Sequence, residues 1–127
     1  YEKQIQLRFD ECLINIRNSS LPENLKNRAL SSAKKENDQG LKSMLELFEI
    51  RRKFIAEARN LLIYIKSRPN SFKYQNGKMV VENEEDADFG RTSMSKLRTL
   101  LQEEDNLIRK IEQEVSTKLR QVNELVR

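Results

Sequence analysis

With 127 residues, 35% of them charged and 37% hydrophobic, the chain has the size of one domain but is too polar for a thick globular core and too rich in aliphatic residues for disorder. Three Gly, two Pro and no Trp exclude a sandwich or barrel of many short strands, and the absence of histidine excludes Ser-His and Cys-His nucleophiles and removes the commonest metal ligand. Lys+Arg 24 against Asp+Glu 20 leaves a net charge of only +4, a mildly basic surface that serves solubility as readily as it serves nucleic acid.

The first predicted helix covers residues 1–18. Ile5, Phe9, Cys12, Leu13 and Ile16 recur at helical spacing, while Glu2, Gln6, Arg8, Asp10 and Arg17 fall off that stripe. Cys12 is the only cysteine, so an internal disulfide is excluded, and it reads as a small buried apolar residue. The string Ser19-Ser20-Leu21-Pro22-Glu23 supplies a stop and a restart, with Ser20 accepting a backbone N–H, Glu23 reaching back, and Pro22 in the first turn. Asn18-Ser19-Ser20 matches the glycosylation triplet but overlaps this cap, which is the simpler role.

The second predicted helix covers residues 21–67. Leu21, Leu25, Ala29, Leu30 and Ala33 open it, and a kink or short break is expected between Asp38 and Gly40, since Gly lowers helix stability by about 1 kcal/mol. Beyond it Leu41, Phe48, Ile55 and Leu62 repeat at seven, with Met44, Ala58 and Ile65 in the complementary seam and Leu45, Leu47, Phe54 and Leu61 beside it. Pro69 then stops the helix.

A polar connector is expected over residues 68–91. Within it, Phe72 and Tyr74 before Asn76-Gly77 and Met79, Val80 and Val81 after it predict a small β-hairpin, Asn-Gly being the favoured type I′ pair. The acidic run Glu82, Glu84, Glu85, Asp86 and Asp88 reads as a solvated loop. A calcium loop is excluded because Phe89 and Ser95 stand where Gly and Glu are required.

The last predicted helix covers residues 92–126 and opens on the capping types Thr92 and Ser93. Arg91, Thr92 and Ser93 would also place an added phosphate at a helix N-terminus, though capping is the simpler role. Leu101, Ile108, Val115 and Val122 repeat at seven, with Leu97, Ile111 and Leu125 in the partner position, Glu104 and Lys118 interrupting it, and Leu100, Leu107 and Leu119 alongside.

These elements predict an all-α fold, an elongated helical bundle with a long antiparallel coiled-coil-like hairpin, read as a single domain over residues 1–127. No run of about 18 apolar residues exists to span a membrane, and neither a signal peptide nor a Walker or dinucleotide glycine pattern is found, with Gly40, Gly77 and Gly90 standing alone. No cofactor, metal or catalytic residue is expected, and the lone cysteine suits an intracellular protein, cytoplasmic or nuclear.

The segment Met44-Leu45-Glu46-Leu47-Phe48-Glu49-Ile50-Arg51-Arg52-Lys53-Phe54-Ile55 resembles the helical core segment of GINS replication subunits, from which the chain departs in its connector and terminal heptads. Leu21-Pro22-Glu23-Asn24-Leu25-Lys26 resembles a turn in some BAG co-chaperone domains. Each likeness covers a small part of the chain; the second implies a co-chaperone or regulatory subunit.

The function expected from the residues themselves is a non-enzymatic protein–protein interaction or assembly subunit, a scaffold or adaptor forming a homo- or hetero-oligomer through helix faces. Leu97, Leu101, Ile108, Ile111, Val115, Val122 and Leu125 with Phe48, Ile55 and Leu62 are its candidate interface. The alternative is a nucleic-acid-binding module using Arg51, Arg52, Lys53 and Arg59, against which stand the interleaved Glu46, Glu49 and Glu57 and the lack of an aromatic platform.

Overall fold

The computed structural model describes residues 2–126, without the side chains of residues 2 and 5, so the sequence assignments of Glu2 and Ile5 lie outside the described side chains. Its elements are α1 (Glu2–Arg17), α2 (Glu23–Ser67), β1 (Phe72–Gln75), β2 (Lys78–Val81) and α3 (Glu84–Val126). The chain forms two compact units, Tyr1–Leu45 and Glu46–Arg127.

In the first unit α1 buries Leu13, with Phe9 and Ile16 half-buried beside it and Ala29, Leu30, Ala33 and Leu41 half-buried on α2. Cys12 lies a quarter turn from that stripe and is exposed, contrary to the buried position expected for it. The serines between the helices close α1 rather than open α2: the Ser19 hydroxyl donates to the Ile16 carbonyl at 2.7 Å, and Lys26 Nζ donates to the Arg17 carbonyl at 3.1 Å. Both satisfy carbonyls that the helix end leaves without partners. Pro22 takes the N-cap instead, its carbonyl accepting the Lys26 N–H at 3.0 Å, so the expected Ser20–Glu23 capping box does not form. Nor does α2 break between Asp38 and Gly40. It runs as 45 helical residues, because the penalty of one glycine is small beside the good helix formers flanking it.

In the second unit α2 and α3 pack against each other, joined by the β-hairpin. The hairpin pairs Phe72 with Val81 and Gln75 with Lys78. Asn76 and Gly77 have φ of 51° and 74°, the doubly positive pair of a type I′ turn, which matches the natural twist of the strands. The acidic run is not a loop. Asn83 Oδ1 accepts the N–H of Glu85 at 2.9 Å and of Asp86 at 3.3 Å, which starts α3 eight residues before the expected Thr92. Glu84, Glu85 and Asp86 then fill its first turn, where carboxylates meet the positive end of the helix dipole. Thr92 and Ser93 are consequently in the helix interior, Ser93 is buried, and neither the cap nor a phosphate site at a helix N-terminus exists there.

Along the shared seam, Leu47, Ile50, Phe54, Leu61 and Tyr64 of α2 are buried or half-buried, as are Asp86, Gly90, Ser93, Leu97, Leu100, Leu107 and Ile111 of α3. With the half-buried Glu57 and Glu104 filling the gaps, both sets step alternately by three and four residues, the repeat of a coiled-coil seam. Gly90 lies against the Phe72 ring among the aromatic rings gathered at the hairpin end, where Tyr64 stacks on Phe89 with centroids 3.7 Å apart and meets Phe72 edge-on at 6.0 Å.

Candidate interaction surface

The hairpin end is closed by a polar cluster. Asp86 is 1% exposed; its Oδ1 accepts from Tyr64 Oη at 2.6 Å and from the Arg68 guanidinium, which also lies over the Tyr64 ring. A hydrogen bond from Ser71, then that from Tyr64, and the Arg68 charge hold the Asp86 carboxyl below its usual range against the opposing effect of burial. The same bond to Asp86 pushes the Tyr64 hydroxyl up, with burial adding to it. These groups satisfy one another and act as a structural fastening; among the described residues no group of Cys, Asp or Glu gathers that could hold a metal ion.

The two flanks of the α2–α3 pair differ in chemistry. On one, Lys53, Ala56 and Asn60 of α2 and Ser95, Lys96 and Thr99 of α3 line an open groove. The other is fixed by the ion pair Arg51–Glu104 at 3.5 Å. Residues three and four positions away on a helix share a face, so Phe48 and Ile55 stand on the flank of Arg51, and Leu101 and Ile108 on the flank of Glu104. Leu62 continues the first stripe, and Met94, Val115 and Val122 continue the second.

This flank carries a second apolar heptad, offset by one residue from the buried seam. The offset decides exposure: Leu61 is 8% exposed and Leu62 66%, and on α3 Leu100 is half-buried while Leu101 is 52% exposed. Of the residues singled out as an interface, Leu97 is in the core and Ile111 half-buried in the seam. Ile108 is half-buried at its edge, and Phe48, Ile55, Leu62, Leu101, Val115, Val122 and Leu125 are exposed.

The basic candidates do not gather. Arg51 is bridged to Glu104 and Arg52 to Glu49, whose carboxyl Arg52 holds below its usual range. Lys53 lines the groove on the opposite flank, and Arg59 is exposed one heptad after Arg52, at the outer edge of the apolar stripe. What periodicity alone missed is the Tyr64–Arg68–Asp86 cluster, whose only sequence signal is the interruption of the apolar repeat at both of its ends.

Compared with family models, curated proteins and solved structures, the chain matches none. Among the described residues no helix is long and apolar enough to cross a membrane.

Proposed function

We propose that the chain is a non-enzymatic assembly subunit that works by burying the apolar flank of its α2–α3 pair against another protein chain. The observation supporting this reading is the second heptad stripe, with Phe48, Ile55 and Leu62 on α2 and Leu101 and Val115 on α3 all exposed. An aligned set of large apolar side chains along one flank is more than scattered surface hydrophobicity, and heptad spacing is what a further helix requires of its neighbours. The groove on the other flank, where Lys53, Asn60 and Lys96 stand beside Ala56 and Leu100, has no heptad run of exposed large apolar side chains. The nucleic-acid reading has weaker support, since Glu104 and Glu49 engage two of the four cations it needs.

The test is a photo-crosslinking residue placed at Ile55 in the full chain within its native cell, with Asn60 as the comparator on the opposite flank. Protein adducts at Ile55 and not at Asn60 are expected. Equal adducts at both positions, or none at either, would overturn the assignment of this flank.

A further inference from the structure

We infer that the occupant of the apolar flank is a second copy of this chain, packed antiparallel so that two α2–α3 pairs form a four-helix arrangement about a two-fold axis at the level of Leu101. This rests on the assembly reading above and deepens it by naming the partner. A two-fold interface must be self-complementary, each patch meeting itself reversed. The outer edge of the α3 stripe has that property: its heptad positions read Arg91, Arg98, Asp105 and Glu112, two cations followed by two carboxylates. An axis between Arg98 and Asp105 sets Arg98 against Asp105 of the other copy and Arg91 against Glu112.

The same axis sets Leu101 against its own counterpart and Met94 against Ile108, apolar on apolar. The apolar positions of α2 fit the same axis, while the equivalent edge of that helix carries only cations, Arg52, which is bridged to Glu49, and Arg59, which the axis brings to one level. Arg51 stands beside Glu104, so in antiparallel helices Ile55 lies at the level of Leu101, within a residue; Ile55 then meets Ile55 of the copy, and Leu62 meets Phe48.

The charges are available for this pairing. Among the described residues Arg98 and Glu112 make no ion pair, while Arg91 and Asp105 pair with exposed groups one turn away on their own helix, Asp88 and Arg109, which contribute little. Each proposed contact between copies therefore joins one unpaired and one weakly paired group. Area suffices as well: at about half exposure, the large apolar side chains of the flank supply on the order of 600 Å² per copy, and their polar neighbours bring this toward the roughly 800 Å² per partner of a specific complex.

The experiment is light-scattering mass of the full chain across a concentration series, with three variants made alongside and circular dichroism of each to report folding. The expected mass rises with concentration to about twice 15.0 kDa. Leu101→Glu, at an exposed position, abolishes the rise without loss of helicity. Arg98→Glu weakens the dimer about tenfold and adding Asp105→Arg restores it, as a charge pair across an interface should. Leu101→Cys in a Cys12→Ser background is joined to its own counterpart by a short bismaleimide.

A monomer at every concentration overturns the second copy, while adducts to a different protein at Ile55 would leave the assembly reading standing. A dimer that Leu101→Glu breaks but that gives neither cross-link nor charge-swap rescue overturns the antiparallel register alone. A dimer indifferent to Leu101→Glu overturns this inference and, if Ile55 also gives no adducts, the assembly reading with it.

Discussion

Adjacent leucines offer a direct test of which heptad is core. Leu61 is 8% exposed and Leu62 66%, so truncating each to alanine removes the same atoms from two environments. Leu61→Ala loses buried methyl groups and leaves a partial cavity; two-helix packing lets neighbours collapse inward, which puts the loss near the low end of the measured range, about 2–3 kcal/mol. Leu62 keeps about a third of its surface from water, and at about 25 cal/mol per Å² its truncation should cost under 1 kcal/mol. In a domain of this size the two values correspond to roughly 8–15 °C and under about 5 °C in melting temperature.

Because the chain has two compact units, the assay is urea unfolding followed through the NMR amide signals of α3, at a concentration too low for association. Leu97→Ala against Leu101→Ala provides the same contrast on the opposite helix. Equal losses, or a larger loss at Leu62, would mean that the seam runs through Phe48, Ile55 and Leu62, and the exposed stripe would cease to exist.

At Gly40 an added Cβ meets nothing within 4 Å, so Gly40→Ala should stabilise the unit Tyr1–Leu45 by about 1 kcal/mol in thermal unfolding; destabilisation would contradict an unbroken α2. The Asp86 carboxyl, lowered chiefly by Ser71 and Tyr64, contributes stability that is present above its ordinary value of 3.8 and lost as pH falls through its depressed folded value. Tyr64 is raised in the folded chain, so its contribution is present below 10.0 and lost as pH climbs through the higher folded value. Melting temperature against pH should therefore fall at both extremes, and Asp86→Asn should melt lower than the parent at neutral pH and lack the acid limb; an unchanged acid limb would show that the cluster does not form.

The parts of this fold legible in the sequence were those with a local chemical signature. Asn76-Gly77 between apolar runs fixed the hairpin, and Pro69 the end of α2. The start of α3 was not legible, because Glu84, Glu85, Asp86 and Asp88 have the composition of a loop and are favourable at a helix N-terminus for the same reason, their charge. The phase of the seam was hidden differently. Leu47, Phe54 and Leu61 repeat at seven, and so do Phe48, Ile55 and Leu62, so periodicity found both stripes and could not rank them. Polar and small residues at the hairpin end decided between them: Tyr64, Asp86, Gly90 and Ser93 suit only one rotation of the two helices, and side chains of those types look unsuited to a core until their partners are known. The exposed stripe contains most of the candidate interface named from the sequence, while the basic run around Arg51 dispersed, since three consecutive helical residues point in three directions.

The buried Asp86 also bears on how the chain avoids its own near-misses. Two helices with apolar residues every seven positions can slide past each other by one heptad and find hydrophobic contacts again. After such a slip Tyr64 and Arg68 would be about 10 Å from Asp86, and a carboxylate would be enclosed with no donor. Losing one member of a buried charged group is among the more severe penalties a fold can incur, whereas the leucines on either side are nearly indifferent to a shift. The cluster thus acts as a gauge for α2 against α3, rejecting alignments the apolar seam would tolerate. Any surface assembled from both helices, the stripe of Ile55 and Leu101 included, inherits its alignment from that single carboxylate.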